Sequence, residues 1–180
     1  MTSGKTLAAA VGLALVLSAC GGAATSSSQR TVAYIPNYAQ GGPTPTPAVL
    51  TSAPSNVIQV SLGDTSPTQM FIHLSQPYAQ AGPVSFLITN TSTTMKHELV
   101  GFATKTPAAD YPITGFEGDP NRIDEDRAGT VVVDTGAALS PGASKLITTT
   151  LAPGHYALVC NLSGHYRAGM HADFWVMPKA

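Results

Sequence analysis

Cys160-Asn161-Leu162-Ser163-Gly164-His165-Tyr166-Arg167-Ala168-Gly169-Met170 spaces a thiol, an imidazole and a thioether at five-residue steps. On an α-helix such a step turns the side chain through roughly 140°, so the three could not face one point from a single helix. They converge only from a loop, and Gly164 and Gly169 supply the backbone freedom that a tight loop needs. Soft sulfur holds copper(I), and imidazole suits both oxidation states of copper. The set points to copper and is one donor short.

The missing donor is expected to be a second histidine, because the blue-copper arrangement is a His2Cys plane with a weak axial Met. His97 is the best candidate, in Lys96-His97-Glu98-Leu99-Val100-Gly101-Phe102, a segment that reads as a strand. A distant strand is how a β-sandwich closes such a site. From Asn56 onward the chain consists of short β-rich runs punctuated by Gly, Pro, Ser and Asp, at 57–62, 69–74, 84–91, 96–104, 130–133, 143–151, 156–160 and 172–177. About eight strands of this kind predict an all-β, Greek-key β-sandwich. Only the region of 119–128 competes as helix.

These residues resemble the cupredoxin family of small blue copper proteins, in particular its plastocyanin-like and sulfocyanin-like members, over about Asn56 to Lys179. The family's upstream ligand histidine follows an Asn-containing segment, which matches Thr89-Asn90 and then His97. Its C-terminal ligand loop matches Cys160, His165 and Met170, and Pro153-Gly154-His155-Tyr156 resembles the lead into its cysteine strand. Many members carry Asn directly after the first histidine, and this chain has Glu98 there. The resemblance implies one mononuclear type 1 copper ion held by His97, Cys160, His165 and Met170. It also implies electron exit through the edge of His165, here ringed by Leu162, Tyr166 and Gly164.

Strand alternation gives an independent check. Tyr156, Leu158 and Cys160 fall on one face, and Met170, Ala172, Phe174 and Val176 on another mostly apolar one, so both sulfur donors start from core-facing positions. His155 and His171 fall on the opposite faces and read as surface histidines, as does His73. Residues 105–129 depart from the strand pattern and carry several acids offset by Arg122 and Arg127. The plain reading is a solvated connection; the functional one is an acidic docking loop for a basic redox partner.

The ends read differently. Met1 to Cys20 has the form of an export signal, with Lys5 and then an apolar run from Leu7 to Leu17, too short to span a bilayer at about 20 residues. It ends Leu17-Ser18-Ala19-Cys20, which resembles the lipobox of bacterial lipoproteins and implies lipid on Cys20. Residues 21–55, with Gly41-Gly42-Pro43-Thr44-Pro45-Thr46-Pro47, read as a flexible tether, leaving 56–180 as the copper-binding domain. The chain has 2 cysteines. With one for lipid and one for metal, no structural disulfide is expected.

Charged residues are 11% of the chain and the net charge is −1; without a basic stripe, nucleic acid is not an expected partner. A dinuclear copper centre needs two bridging cysteines, and multicopper enzymes need His-x-His pairs, which the sequence lacks. An enzyme also needs an open coordination position, and four protein donors leave none obvious. The expectation is a non-enzymatic electron carrier, outside the cytoplasm and lipid-anchored on the outer face of the cell membrane or in the periplasm. It would serve extracytoplasmic redox proteins or membrane electron-transfer complexes. Two alternatives stay open: a copper delivery or sensing protein that holds copper(I) without redox cycling, and a metal-free contact module.

Overall fold

The computed structural model describes residues 56–179; the expected leader with Cys20 and the whole tether, 21–55, lie outside the described residues. Alternating burial makes the first strand: in β1 (Val57–Ser66), Ile58, Val60 and Leu62 are buried while Val57 and Gln59 are exposed. Among the described residues, β2 (Gln69–Leu74), β3 (Tyr78–Gln80), β4 (Gly82–Asn90), β5 (Val100–Ala103), β6 (Thr130–Asp134), β7 (Ser144–Leu151), β8 (Gly154–Val159) and β9 (His171–Met177) complete the strands, with one short helix, α1 (Glu125–Ala128).

The strands form two sheets, β2-β1-β4-β7 and β3-β9-β8-β5-β6. Their inner faces meet in one core, where Phe86 of β4 and Phe174 of β9 pack edge to face with ring centroids 5.3 Å apart. Pairing of β4 with β7 and of β5 with β8 requires the crossovers of a Greek key. The all-β sandwich holds, with nine strands among the described residues rather than eight. The added strand is β3, three residues long and paired only with β9; three residues are too few for alternation to register.

The expected strand over 96–104 is shorter than its sequence suggests. Only Val100–Ala103 joins the sheet, and His97 makes an isolated bridge to Leu139. The reason lies in the backbone donors: the amide of Glu98 is directed to the Cys160 sulfur and that of Leu99 to the Thr135 hydroxyl. Those amides cannot also serve a ladder.

Residues 105–129 are not a solvated connection. Ala108, Tyr111, Ile123 and Ala128 are buried in a second cluster with Val100 and Phe102 of β5, Ala157 and Val159 of β8, and Tyr166. The Tyr111 hydroxyl donates to the Ala128 carbonyl, and Asp124 caps α1 by accepting from the amide of Asp126. This excursion covers the outer face of the five-stranded sheet and leaves β8 buried from both sides.

That cover also corrects two histidines. The His155 side chain is 6% exposed, with Nε2 2.7 Å from Asp173 and Nδ1 3.0 Å from the Thr104 carbonyl. His171 is half-buried beside the Tyr166 ring. Both occupy the outer face, as alternation requires, but that face is covered; His73, on β2, is exposed.

Candidate metal centre

The loop 160–170 connects β8 to its antiparallel neighbour β9, and its own hydrogen bonds close it. The amide of Cys160 donates to the Met170 carbonyl at 3.0 Å, and that of Met170 donates to the His165 carbonyl at 3.2 Å. Gly164 and Gly169 have φ of 79° and 97°, the left-handed region that glycine enters without penalty. The loop is anchored to the other sheet by the Met70 amide, which donates to Ala168 at 2.9 Å.

Three of the four expected donors meet. Nδ1 of His97 lies 3.2 Å from Nδ1 of His165, which lies 3.4 Å from Sγ of Cys160, and the three donor atoms all fall within 4.8 Å of one another. Donors spaced in this way can share a centre at the roughly 2.0–2.3 Å typical of metal–nitrogen and metal–sulfur bonds. His97 and Cys160 are fully buried and His165 is 8% exposed. Met170 is fully buried in the same core cluster as Cys160.

The electrostatics suit a cation. Burial pushes the Cys160 thiol up to about 12, against the help of the Glu98 and Leu162 amides. A bound metal ion would reverse that balance, with Cys160 holding it as thiolate. Burial, with His97 alongside, holds the His165 imidazole below its ordinary value, which keeps its nitrogens available as neutral donors. A site of two imidazoles and a buried sulfur fits copper by donor chemistry.

The residues around the donors were not singled out as a set by sequence reasoning. Glu98 clamps the cysteine twice, its amide donating to Sγ at 3.4 Å and its carboxylate accepting from the amide of Asn161 at 3.1 Å. Burial first of all raises the Glu98 carboxyl above its ordinary value. Asn161 is itself buried, exchanging hydrogen bonds with the backbone of Ile123 and donating to Glu125, while Arg122 donates to its carbonyl at 2.7 Å. The excursion thus braces the cysteine end of the loop. Asn90, in the upstream segment matched to the family, donates to the carbonyls of Met95 and Leu139 and so fixes the approach to His97.

The expected rim around His165 changes in one member. Tyr166 is 5% exposed and accepts a hydrogen bond from the Tyr111 amide within the second cluster, so it offers no rim surface. Leu162 and Gly164 remain partly exposed.

A family model described as the sulfocyanin (SoxE) domain matches residues 46–179. The chain belongs to this family. The sulfocyanin domain is similar in structure to the dithionite-reduced auracyanin of the photosynthetic bacterium Roseiflexus castenholzii, at 25% identity and a TM-score of 0.51, over 71% of this chain and 100% of that one. Auracyanin B is similar at 21% identity and a TM-score of 0.47, over 72% and 94% of the two chains. Rusticyanin from Thiobacillus ferrooxidans is similar at 17% identity and a TM-score of 0.47, over 68% and 79%. No sequence among the curated proteins matches the chain.

Family and fold together make the sulfocyanin domain a cupredoxin-type β-sandwich, and the His97, Cys160 and His165 cluster points to copper binding. Among the described residues no helix is long and apolar enough to cross a membrane.

Proposed function

We propose that the sulfocyanin domain holds one mononuclear type 1 copper ion through His97, Cys160, His165 and Met170 and carries single electrons between extracytoplasmic redox partners. The observation that carries this reading is the meeting of Nδ1 of His97, Sγ of Cys160 and Nδ1 of His165 in a buried site. Bound copper would supply a one-electron couple there. The chain's own part is to hold its donors still and dry. Cys160 is set by amides on both sides, since Glu98 bonds its sulfur while its own amide is tied to Met170. Arg122, Ile123 and Glu125 fix the next residue, Asn161. A site that does not rearrange loses little to reorganisation when charge changes.

The part of the surface nearest the site is small. His165 is nearly buried, with Leu162 and Gly164 partly exposed beside it; contacts of that size suit brief redox encounters. Four donors from the protein favour a carrier over an enzyme, which needs a place for substrate. Lipid on Cys20, with residues 21–55 as tether, would hold the domain at the outer face of the membrane.

Cys160→Ser decides between this reading and adventitious copper. The variant is expected to lose reversible one-electron copper chemistry; retention of it would defeat the proposal.

A further inference from the structure

β1 turns Ile58, Val60 and Leu62 into the core at alternate positions. The next residue on that face is Asp64. A carboxylate at the end of an apolar stripe needs a reason, and the strand is irregular at this point. Asp64 pairs with Met70, and the register of β1 on β2 shifts between Asp64 and Ser66; bulges of this kind re-aim side chains beside functional sites.

The reason is His97. Oδ1 of Asp64 lies 3.1 Å from Nε2 of His97, while Nδ1 of the same ring faces His165 at 3.2 Å. An imidazole whose outer nitrogen meets a carboxylate keeps its proton on that nitrogen. The lone pair of the other nitrogen is then directed at the centre. Ser92 lies in the loop that leads to His97. Its hydroxyl oxygen accepts from the amides of Thr94 and Met95, and its own amide donates to Asn90. One carboxylate therefore joins β1 to the loop that carries His97.

A neutral acceptor could orient the ring equally well. What Asp64 adds is charge, and among the described residues the ion pairs of Arg122 and Arg127 go to Glu117, Glu125 and Asp124, not to it. We propose that Asp64 is a positioning residue of the centre, which sets the tautomer of His97 and places a fixed negative charge behind its ring. That charge favours copper(II) over copper(I) and holds the reduction potential down. The inference rests on the proposed ligation of copper by His97.

Two variants separate orientation from charge. Asp64→Asn keeps an oxygen acceptor and loses the charge; Asp64→Leu continues the apolar stripe and loses both. Copper(II) and copper(I) affinities are measured by chelator competition, the potential by redox titration, and the His97 tautomer by nitrogen-15 NMR of the metal-free domain. Asp64→Asn is expected to keep His97 protonated on Nε2 and to bind copper(II) about tenfold more weakly. With copper(I) affinity unchanged, the potential rises by about 59 mV. Asp64→Leu is expected to weaken copper(II) binding by about 100-fold and to release the tautomer. An unchanged potential in Asp64→Asn overturns the role of charge. His97 protonated on Nδ1 in the metal-free wild-type domain overturns the positioning role. If Asp64→Leu does not fold, these two readouts still decide. A wild-type domain that binds no copper would defeat the proposed function instead, and the tautomer would still report on Asp64.

Discussion

Glu98 reaches Cys160 through its backbone and Asn161 through its side chain, at 3.4 and 3.1 Å. One residue thereby ties the segment bearing His97 to the strand end bearing Cys160. Glu98→Ala keeps the amide bond to sulfur but leaves the buried Asn161 amide unpaired. The expected loss is about 1–3 kcal/mol of unfolding free energy, with copper still bound. Denaturant titration of the metal-free domain reads the first, and metal analysis the second. No loss of stability would mean that the carboxylate is not a clamp.

Met170 is fully buried, and its replacement should preserve volume if the chemistry is to be isolated. Met170→Leu is expected to cost less than about 1.5 kcal/mol and to keep copper. Its potential should rise, because on the proposed ligation the thioether that would help hold copper(II) is gone. Redox titration against wild type checks this. Loss of copper from Met170→Leu would mean that the thioether anchors the ion rather than tuning it.

Asp173 lies under the excursion, 2.7 Å from His155 and accepting from the Ala108 amide at 2.8 Å. Burial alone would raise its carboxyl, but these hydrogen bonds outweigh it and hold the group below the ordinary value of 3.8. A carboxyl lowered on folding adds stability above its unfolded value and loses it as pH falls through the folded one. The wild-type advantage in melting temperature over Asp173→Asn is therefore expected to be full at pH 7 and to shrink below pH 3.8. A gap independent of pH would show that the carboxylate's charge is not what matters.

Gly129 ends the excursion with φ of 145°, and a Cβ there would sit 2.7 Å from the Ala103 carbonyl oxygen. Neither the backbone angle nor a backbone oxygen can yield cheaply. Gly129→Ala should cost more than about 1 kcal/mol, measured by thermal or denaturant unfolding. A neutral result would mean that the β6 start can shift.

Cys160, His165 and Met170 were legible as candidate donors because each is marked by residue type and spacing. Their five-residue steps declare a loop, and alternation places Cys160 and Met170 on inward faces. Strands β2 and β7 were legible because their burial alternates over six or more residues. What sets the donors in place was not. Asp64 reads as an ordinary polar residue at a strand end unless the stripe of Ile58, Val60 and Leu62 is followed one step further. Asn161 and Arg122 act through backbone atoms of residues remote in sequence, which no local pattern encodes. The 105–129 excursion misled because its acids dominate the composition, whereas Tyr111 and Ile123 decide its packing. His155 and His171 were placed on the right face, but nothing in period-two alternation tells that a face is covered by a loop.

The visible spectrum of the domain tests the central claim most directly. Copper(II) is added to protein from about residue 55 onward, and ascorbate follows. An intense thiolate-to-copper band that bleaches with ascorbate and returns on reoxidation is the expected result. Tight copper(I) binding with no such band would contradict electron carriage at His97, Cys160 and His165 and favour copper delivery.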